Sequence, residues 1–465
     1  MTVPIDVSVV VPVYNARPFL PAFVASLRQQ SLSDYGLIAV DDGSTDGSGA
    51  YLESLQEDFP QLRVIHQENS GWAGAPRNRG IEQAKGRYIF FADPDDVLGD
   101  EQALESLVRF ADEHGSDVVV PKMVASGGRT YAQGRYATTQ VDADLPTVFT
   151  TLTPQKLFRR SLLVDHTVRF PEGKVRLEDG IFLSRAYLLA SRVSILVDRV
   201  YYVLVHHDEG DHLSKRAIDP EAYLQSVSTM VENVDALCRD RDTANRIIAE
   251  LVQRKATLGT QPKKAVNARP KRLRAWFAPQ REFVERHLQA ADRRSALRDE
   301  ARILMDAAMD DDAEGLKEWA SAYTAQYSAV DIRMVRGTLH IRGDQSSSAR
   351  GATVELVERN GTTAPSTISI DVTDDNWELA IPKGQLSRPR DVRLFDVYML
   401  VETTRGTVRR RVAADLSEPS YTFTDGRTVT VYTTVRGNLS IRVSEGLGRI
   451  ARLRRRARRM LRRKR

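Results

Sequence analysis

The chain has 465 residues, 42% hydrophobic and 28% charged, which is the composition of a soluble globular protein with room for two or three domains. A lone cysteine, Cys238, excludes an internal disulfide and a cysteine-based zinc site. The net charge of +5 is unevenly spread: residues 449–465 hold eleven Arg or Lys and no acid, so the body of the protein is acidic and its basicity is local.

The first residues, Met1 to Asp6, lack the basic and apolar regions of a signal peptide, and no apolar run approaches the roughly 18 residues of a membrane-spanning helix. A cytoplasmic location is expected. Val7 to Val11 is a β-branched run that Pro12 is expected to stop. Phe19, Phe23, Val24 and Leu27 then fall at helical spacing. Leu37 to Val40 reads as a second strand, ended by Asp41-Asp42-Gly43-Ser44, and Ser48 to Leu55 as a helix capped by Asp46 or Ser48. Strand 63–65, helix 79–84, strand 88–92, helix 101–113 and strand 117–120 follow. Strands and helices in turn imply a mostly parallel sheet wrapped by helices, in which ligands bind beyond the carboxyl ends of the strands. Asp41-Asp42 and Asp93-Pro94-Asp95-Asp96 both lie at such ends.

Residues 215–328 contain few glycines and read mostly as helix, for example Glu221 to Leu237 and Arg281 to Leu288. The interval 260–271 is basic and broken by Pro262 and Pro270, and is expected to be a loop. From about Asp331 onward come short alternating runs: 339–342, 353–357, 368–372, 397–401, 408–412, 429–432 and 439–443. Turn residues such as Asn360-Gly361 separate them, the pattern of a β-sandwich. Trp377 and Tyr398 could stack on a sugar but read more naturally as core. The expected division is a catalytic domain 1–214, a helical region 215–328, an immunoglobulin-like sandwich 329–445 and a basic tail 446–465. In the tail, Ile450, Leu453, Ala457, Met460 and Leu461 form a thin apolar stripe among arginines. That pattern suits an interfacial helix on an anionic membrane. A polyanion such as RNA, or plain disorder, is the competing reading.

Chemistry concentrates at Phe90-Phe91-Ala92-Asp93-Pro94-Asp95-Asp96, where a hydrophobic strand runs into three carboxylates. Clustered carboxylates repel and call for a cation or a donor network. Hard oxygen ligands suit Mg²⁺ or Mn²⁺, which can bridge to a diphosphate and act as a Lewis acid. An acidic turn that caps the next helix is the competing reading.

Val11-Pro12-Val13-Tyr14-Asn15, Val40-Asp41-Asp42-Gly43-Ser44 and the Asp93-Pro94-Asp95-Asp96 turn follow one another over about 90 residues, each ending a strand. Together they resemble the family 2 glycosyltransferases of GT-A fold. The resemblance implies that Pro12, Val13 and Tyr14 receive the nucleoside and that Asp42 contacts the uracil. It also implies that Asp93, Pro94 and Asp95 flank the ribose, the diphosphate and a Mn²⁺ or Mg²⁺ ion. Further on come Asn69-Ser70-Gly71-Trp72-Ala73-Gly74-Ala75-Pro76-Arg77-Asn78, Arg176-Leu177-Glu178-Asp179-Gly180, Tyr201-Tyr202 and Glu209-Gly210-Asp211-His212-Leu213-Ser214. This set is similar to the poly(ribitol-phosphate) N-acetylglucosaminyltransferases that decorate wall teichoic acid, well over residues 6–225 and weakly behind.

That likeness implies an inverting transferase taking sugar from a UDP-sugar, with UDP-GlcNAc the expected donor, to a cell-surface polymer. Asn69, Arg77 and Ser214 would bind the donor. Asp179 beside Glu178 would be the catalytic base, and His212 would face the pyrophosphate and metal. In inverting transfer one carboxylate removes the acceptor proton as the new bond forms. His206-His207-Asp208 departs from the family pattern by one residue, which gives His207, Lys215 or Arg216 a claim on the phosphate contact. Carboxy-terminal modules in the resembling enzymes serve oligomerisation, so a homotrimer is expected, held at the inner face of the cell membrane by the tail. Capsule, lipid-linked saccharide and glycoprotein acceptors stand as alternatives, as does an inactive protein that binds sugar nucleotide or polyanion, since acceptor choice lives in variable loops.

Overall fold

A computed structural model describes residues 5–126, 136–207, 217–336, 338–346, 352–359, 365–372, 376–382, 384–386, 393–416, 420–422 and 427–445. The chain divides into two compact units. One comprises 1–258 with 278–302, and the other 259–277 with everything from 303 onward. The tail, His212, Ser214, Lys215 and Arg216 lie outside the described residues.

In the first unit, β1 (Val7–Val13) is buried along its whole length, as expected of a central strand covered on both faces. It pairs in parallel with β2 (Tyr35–Asp42), which pairs in parallel with β3 (Leu62–Gln67). On its other side it pairs with β4 (Tyr88–Phe91). Pro12 does not stop β1. The ladder with β4 ends at Val10, so beyond it the missing proline N–H breaks no bond on that side. A short β5 (Val97–Leu98), β6 (Val118–Pro121), β7 (Met123–Ala125), β8 (Leu157–Arg159), β9 (Val193–Leu196) and β10 (Tyr202–Leu204) complete the strands. The main sheet runs β3-β2-β1-β4-β8-β6-β9, and a small sheet runs β5-β10-β7. β8 enters antiparallel between β4 and β6, and this reversal shapes the site below.

Helices α1 (Leu20–Arg28), α2 (Ser48–Ser54), α3 (Gly74–Gln83), α4 (Ala103–His114), α5 (Leu145–Val148), α6 (Arg160–Asp165) and α7 (Glu178–Leu189) connect these strands. Asp46 opens α2 by accepting the Ser48 backbone N–H and hydroxyl. Gly80 lets α3 press on the sheet: a Cβ there would stand 2.2 Å from Val10 Cγ1. Next come α8 (Pro220–Leu237) and α9 (Arg241–Leu251), each capped by an aspartate, and a π-helical turn at Val252–Ala256.

The basic interval 260–271 is not a loop. It forms α10 (Pro262–Asn267) and the start of α11 (Pro270–His287). Both prolines occupy the first helical position, where a missing N–H breaks no intrahelical bond and the fixed φ favours the helix. α12 (Ala291–Ala296), α13 (Asp299–Met309) and α14 (Ala313–Thr324) follow.

The second unit is a β-sandwich. Its strands are β11 (Tyr327–Val335), β12 (Thr338–Gln345), β13 (Thr353–Glu358), β14 (Ser366–Ser369), β15 (Asp371–Val372), β16 (Asn376–Pro382), β17 (Arg393–Val401), β18 (Val408–Arg411), β19 (Ala413–Ala414), β20 (Ser420–Thr422), β21 (Arg427–Thr433) and β22 (Leu439–Glu445). One sheet runs β15-β16-β12-β11-β19, and the other β14-β13-β17-β22-β21-β20 with β18 beside β17. Inward residues of both sheets, such as Leu339 and Ile341 from one and Val397 and Ile441 from the other, share one core with Leu273, Phe277 and Trp319. Trp377 lies in that core, and the Arg409 guanidinium covers the Tyr398 ring at 3.6 Å.

Candidate active site

Three strand ends and two helix starts of the first unit converge on a cleft of about 560 Å³. Pro12, Val13 and Tyr14 from the end of β1, Asp42 from β2, Asn69, Arg77 from α3, and Asp93, Pro94 and Asp95 after β4 line it, with Glu178 from α7. Asp42 is nearly buried. Its carboxylate accepts from Gln67 Nε2 at 2.6 Å and from the Ser70 N–H and hydroxyl at 3.0 and 2.9 Å, while Asn69 Nδ2 donates to the Asp42 carbonyl. Those bonds pin the 69–72 loop over the end of β2. Asn15 is in the left-handed region at φ 48°, and its side chain accepts the Thr45 N–H at 2.8 Å, tying the end of β1 to the turn after β2.

Arg77 is the hub. It is 4% exposed. One arm, Nη1, donates to Asp179 Oδ1 at 2.7 Å and lies 4.0 Å from Glu178; the other, Nη2, donates to Asp93 Oδ1 at 2.9 Å. A guanidinium presents its donors in a rigid plane, so it can span two carboxylates that a lysine could not. α3 is held in place because Asn78 exchanges hydrogen bonds with the Phe170 backbone, donating to its carbonyl and accepting its N–H at 2.9 Å each. Gly74 permits the approach, since a Cβ there would sit 2.2 Å from the Pro171 carbonyl oxygen. Beneath the hub Phe91, Phe158, Phe170 and Phe182 form an aromatic floor, with the last two rings stacked at 3.9 Å. This low-polarity support strengthens the ion pairs above it.

Burial pushes the Asp179 carboxyl up to about 7; Arg77 opposes the shift, and Glu178 and Asp93 add to it. Burial would lower the Arg77 pKa, but the carboxylates of Asp179, Asp93 and Glu178 outweigh it and raise the value further. Leu177, which precedes α7, is left-handed at φ 60°, a costly conformation for a branched residue. It is the turn that delivers Glu178 and Asp179 side by side, and strain of this kind gathers at functional sites.

The Asp93 carboxylate is fully engaged. Arg77 holds Oδ1, Gln155 Nε2 donates to Oδ2 at 2.6 Å, and the Asp93 N–H donates to the Tyr202 hydroxyl at 2.8 Å. Asp96 accepts the Val205 N–H at 2.9 Å. The ligand atoms of Asp93, Asp95 and Asp96 lie within 4.8 Å of one another, a spacing a divalent ion could use. Asp93 and Asp96 also accept from protein donors, and Asp93 and Asp95 both line the cleft where an ion would meet a diphosphate. A magnesium-type site with one or two carboxylates completed by phosphate oxygens fits this donor set. His207 reaches the same turn, its Nε2 2.8 Å from the Asp95 carbonyl and its ring 4.2 Å from Phe19.

A second cavity of about 220 Å³ adjoins the cleft through Trp72 and Glu178, which line both. Asp179 faces this cavity, over an apolar floor of Leu152, Tyr223 and Met230, with Arg176 and Lys255 at its wall. Lys255 is presented by the π-helical turn, an irregularity often found at functional sites.

The sequence profile described as "Glycosyl transferase family 2" matches residues 8–170, and "Glycosyl transferase TarS linker domain" matches 220–320. The chain is 30% identical over 240 residues to the poly(ribitol-phosphate) beta-N-acetylglucosaminyltransferase TarP of Staphylococcus aureus, covering 49% of this chain and 72% of that relative. The chain belongs to glycosyltransferase family 2.

Another relative in the family, the poly(ribitol-phosphate) beta-glucosyltransferase of Bacillus spizizenii, is 33% identical over 62% of this chain and 46% of its own length. The chain spans about half the length of this and the longer staphylococcal relatives. The crystal structure of S. aureus TarS 1–349 in complex with UDP-GlcNAc superposes with a TM-score of 0.63 at 27% identity, covering 72% of this chain and 96% of that one. It supports the GT-A fold expected from the strand-end motifs.

The structure brings together Pro12, Val13, Tyr14, Asp42, Asn69, Arg77, Asp93, Pro94, Asp95 and Glu178 in one cleft, with Asp179 next door. Arg77, expected at the donor, spends both arms on protein carboxylates. Gln155 went unnoticed in the sequence. Its signal was weak: it comes two residues before a strand whose antiparallel insertion beside β4 no local pattern announces. Among the described residues no helix is long and apolar enough to cross a membrane.

Proposed function

We propose that this family 2 chain transfers a sugar, GlcNAc first among candidates, from its UDP carrier to a hydroxyl of a polyol-phosphate polymer, with inversion at the anomeric carbon. One observation carries the reading. A single buried guanidinium holds the base candidate Asp179 and the diphosphate-side Asp93, so the two halves of the chemistry meet where the cleft and the smaller cavity adjoin. The names of the relatives and the UDP-GlcNAc bound to the TarS fragment support the donor and acceptor classes.

The nucleoside would lie against Pro12, Val13, Tyr14 and the Asp42–Asn69 pair. The acceptor would enter through the smaller cavity, where Arg176 and Lys255 can meet its phosphates while a polyol carbon chain rests on Leu152, Tyr223 and Met230. Asp179 takes the acceptor proton as the hydroxyl oxygen bonds to the anomeric carbon, and the bond from that carbon to the diphosphate breaks, its electron pair leaving with UDP. A Mn²⁺ or Mg²⁺ ion at Asp95, with His212 a further candidate ligand, would neutralise charge on the departing diphosphate. The basic tail would hold the protein to an anionic membrane surface, and the sandwich unit would mediate self-association.

UDP release across a panel of sugar nucleotides, with and without polyol-phosphate polymer, tests the reading. Metal-stimulated, polymer-dependent release that Asp179→Asn removes while donor binding persists is the expected result. Turnover with GDP- or TDP-sugars alone would overturn the uracil assignment of Asp42, and polymer-independent release would overturn the acceptor.

A further inference from the structure

Six of the residues 259–277 are Lys or Arg and none is acidic. Lys263, Lys264, Arg269, Lys271, Arg272 and Arg274 are all exposed, on α10, on the link before α11 and on the first turns of α11. Among the described residues only Arg274 has a carboxylate partner, Asp311 at 3.6 Å. Neither helix carries an acid in its first turn. Cations at these positions face the positive ends of the helix dipoles, which favour anions. They also face one another: partial shielding and then the charge of Arg272 hold the Lys264 ammonium below its usual pKa. Such an arrangement disfavours folding and gains nothing internally, so a use outside the chain accounts for it better than surface solvation does.

The apolar residues of the segment narrow the partner. Ala265, Leu273 and Phe277 are buried in the sandwich unit's own core, and Trp276 is buried as well. A membrane-surface helix needs exposed apolar anchors beside its cations. A single-stranded nucleic acid site needs exposed aromatic platforms. This surface offers neither, only charge. None of the six lines either cavity of the catalytic unit.

We infer that Lys263, Lys264, Arg269, Lys271 and Arg272 form a docking surface for a solvated phosphodiester polymer, the acceptor chain itself, gripped at repeats other than the one being glycosylated. The inference rests on the polymer acceptor proposed above. Holding the polymer at a second place raises the effective concentration of its hydroxyls at the base without any new contact in the cleft.

The test uses the full chain and the variant K263S/K264S/K271S/R272S, with K263R/K264R/K271R as the charge-preserving control. Binding of sugar-free poly(ribitol phosphate) oligomers is measured by calorimetry between 0.05 and 0.3 M salt, together with KM for polymer, for a single-repeat acceptor and for UDP-sugar. Removing four phosphate contacts should weaken polymer binding about tenfold or more near 0.1 M salt and flatten the log–log salt slope by about 3. KM for the single repeat and for UDP-sugar should not move, and the arginine control should bind as the parent does. Unchanged polymer affinity overturns the inference, as does an equal loss with the single repeat. Loss of binding to phosphatidylglycerol vesicles or RNA, with polymer binding intact, would reassign the surface to those partners. If the parent binds polymer without releasing UDP, the acceptor reading fails while the calorimetry still decides the docking surface.

Discussion

The hub at Arg77 and the basic face of α10 and α11 treat positive charge in opposite ways. At the hub one cation is buried among Asp179, Asp93 and Glu178, and both of its terminal nitrogens are engaged with protein carboxylates. On the basic face six cations are exposed and share, among the described residues, one carboxylate partner. Charges neutralised internally are rigid, and rigidity is what a reaction centre needs, because donors fixed before the reaction need no reorganisation during it. Charges left unpaired cost some stability and remain available to a partner. The first kind of site should therefore break catalysis and folding when altered, and the second should alter only association.

The largest expected effect is at the base. Asp179→Asn should lower kcat by about 10² to 10⁴, the usual worth of a general base, with KM for UDP-sugar little changed, in initial-rate UDP-release assays. Arg77→Leu comes next. It strands two carboxylates at a buried site, and denaturant titration should show a loss of about 3–5 kcal/mol. Arg77→Lys should rescue only part of this, since one ammonium cannot span both partners.

Gln155→Leu removes one charge-assisted bond to Asp93. It should cost about 1.5–3 kcal/mol and raise KM for UDP-sugar, while Gln155→Glu, which sets a negative charge 2.6 Å from a carboxylate, should cost more. Equal stability of the two variants would show that Asp93 is not held as the distances indicate.

A pH profile sharpens the comparison further. With the Asp179 carboxyl raised to about 7, its basic form is lost as pH falls through that value, so kcat/KM for acceptor should drop toward tenfold per unit on the acid side. Glu178→Gln withdraws a negative neighbour that disfavours the carboxylate. The Asp179 pKa should fall, and the acid limb should move to lower pH. An upward move would contradict the electrostatics of the site. The smallest effect belongs to the basic face, where Lys271→Glu should stabilise α11 by about 0.3–1 kcal/mol because an acid suits a helix N-terminus, while weakening polymer binding. Stabilisation and loss of association in one variant would separate the two uses of charge.

Much of this was legible from residues alone. β1, β2 and β4 announce themselves as β-branched and aromatic runs, and the polar residues that end them form the cleft, because a parallel sheet lines up the carboxyl ends of its strands. The seven alternating runs after residue 331 each appear in the sandwich, whose strands face a core on one side only. Two expectations failed for local reasons. Pro12 has the local mark of a strand breaker, but it lies past the end of the β4 ladder. Pro262 and Pro270 have the local mark of a loop, but each begins a helix. A proline signals where a hydrogen bond is missing, and only the neighbouring strand or turn decides whether one was needed.

By itself the order of residues determined that β1, β2 and β4 exist, where their polar ends fall and which carboxylates could serve as base or metal ligand, since these follow from short-range periodicity and side-chain chemistry. Only the tertiary structure decided how those carboxylates divide their work. Arg77 reaches across 102 positions to Asp179 and 16 to Asp93. Gln155 meets Asp93 because β8 runs backwards beside β4. Which acid is neutralised and which is held depends on distances between segments far apart in the chain, and electrostatic energy at a buried site changes steeply with such distances.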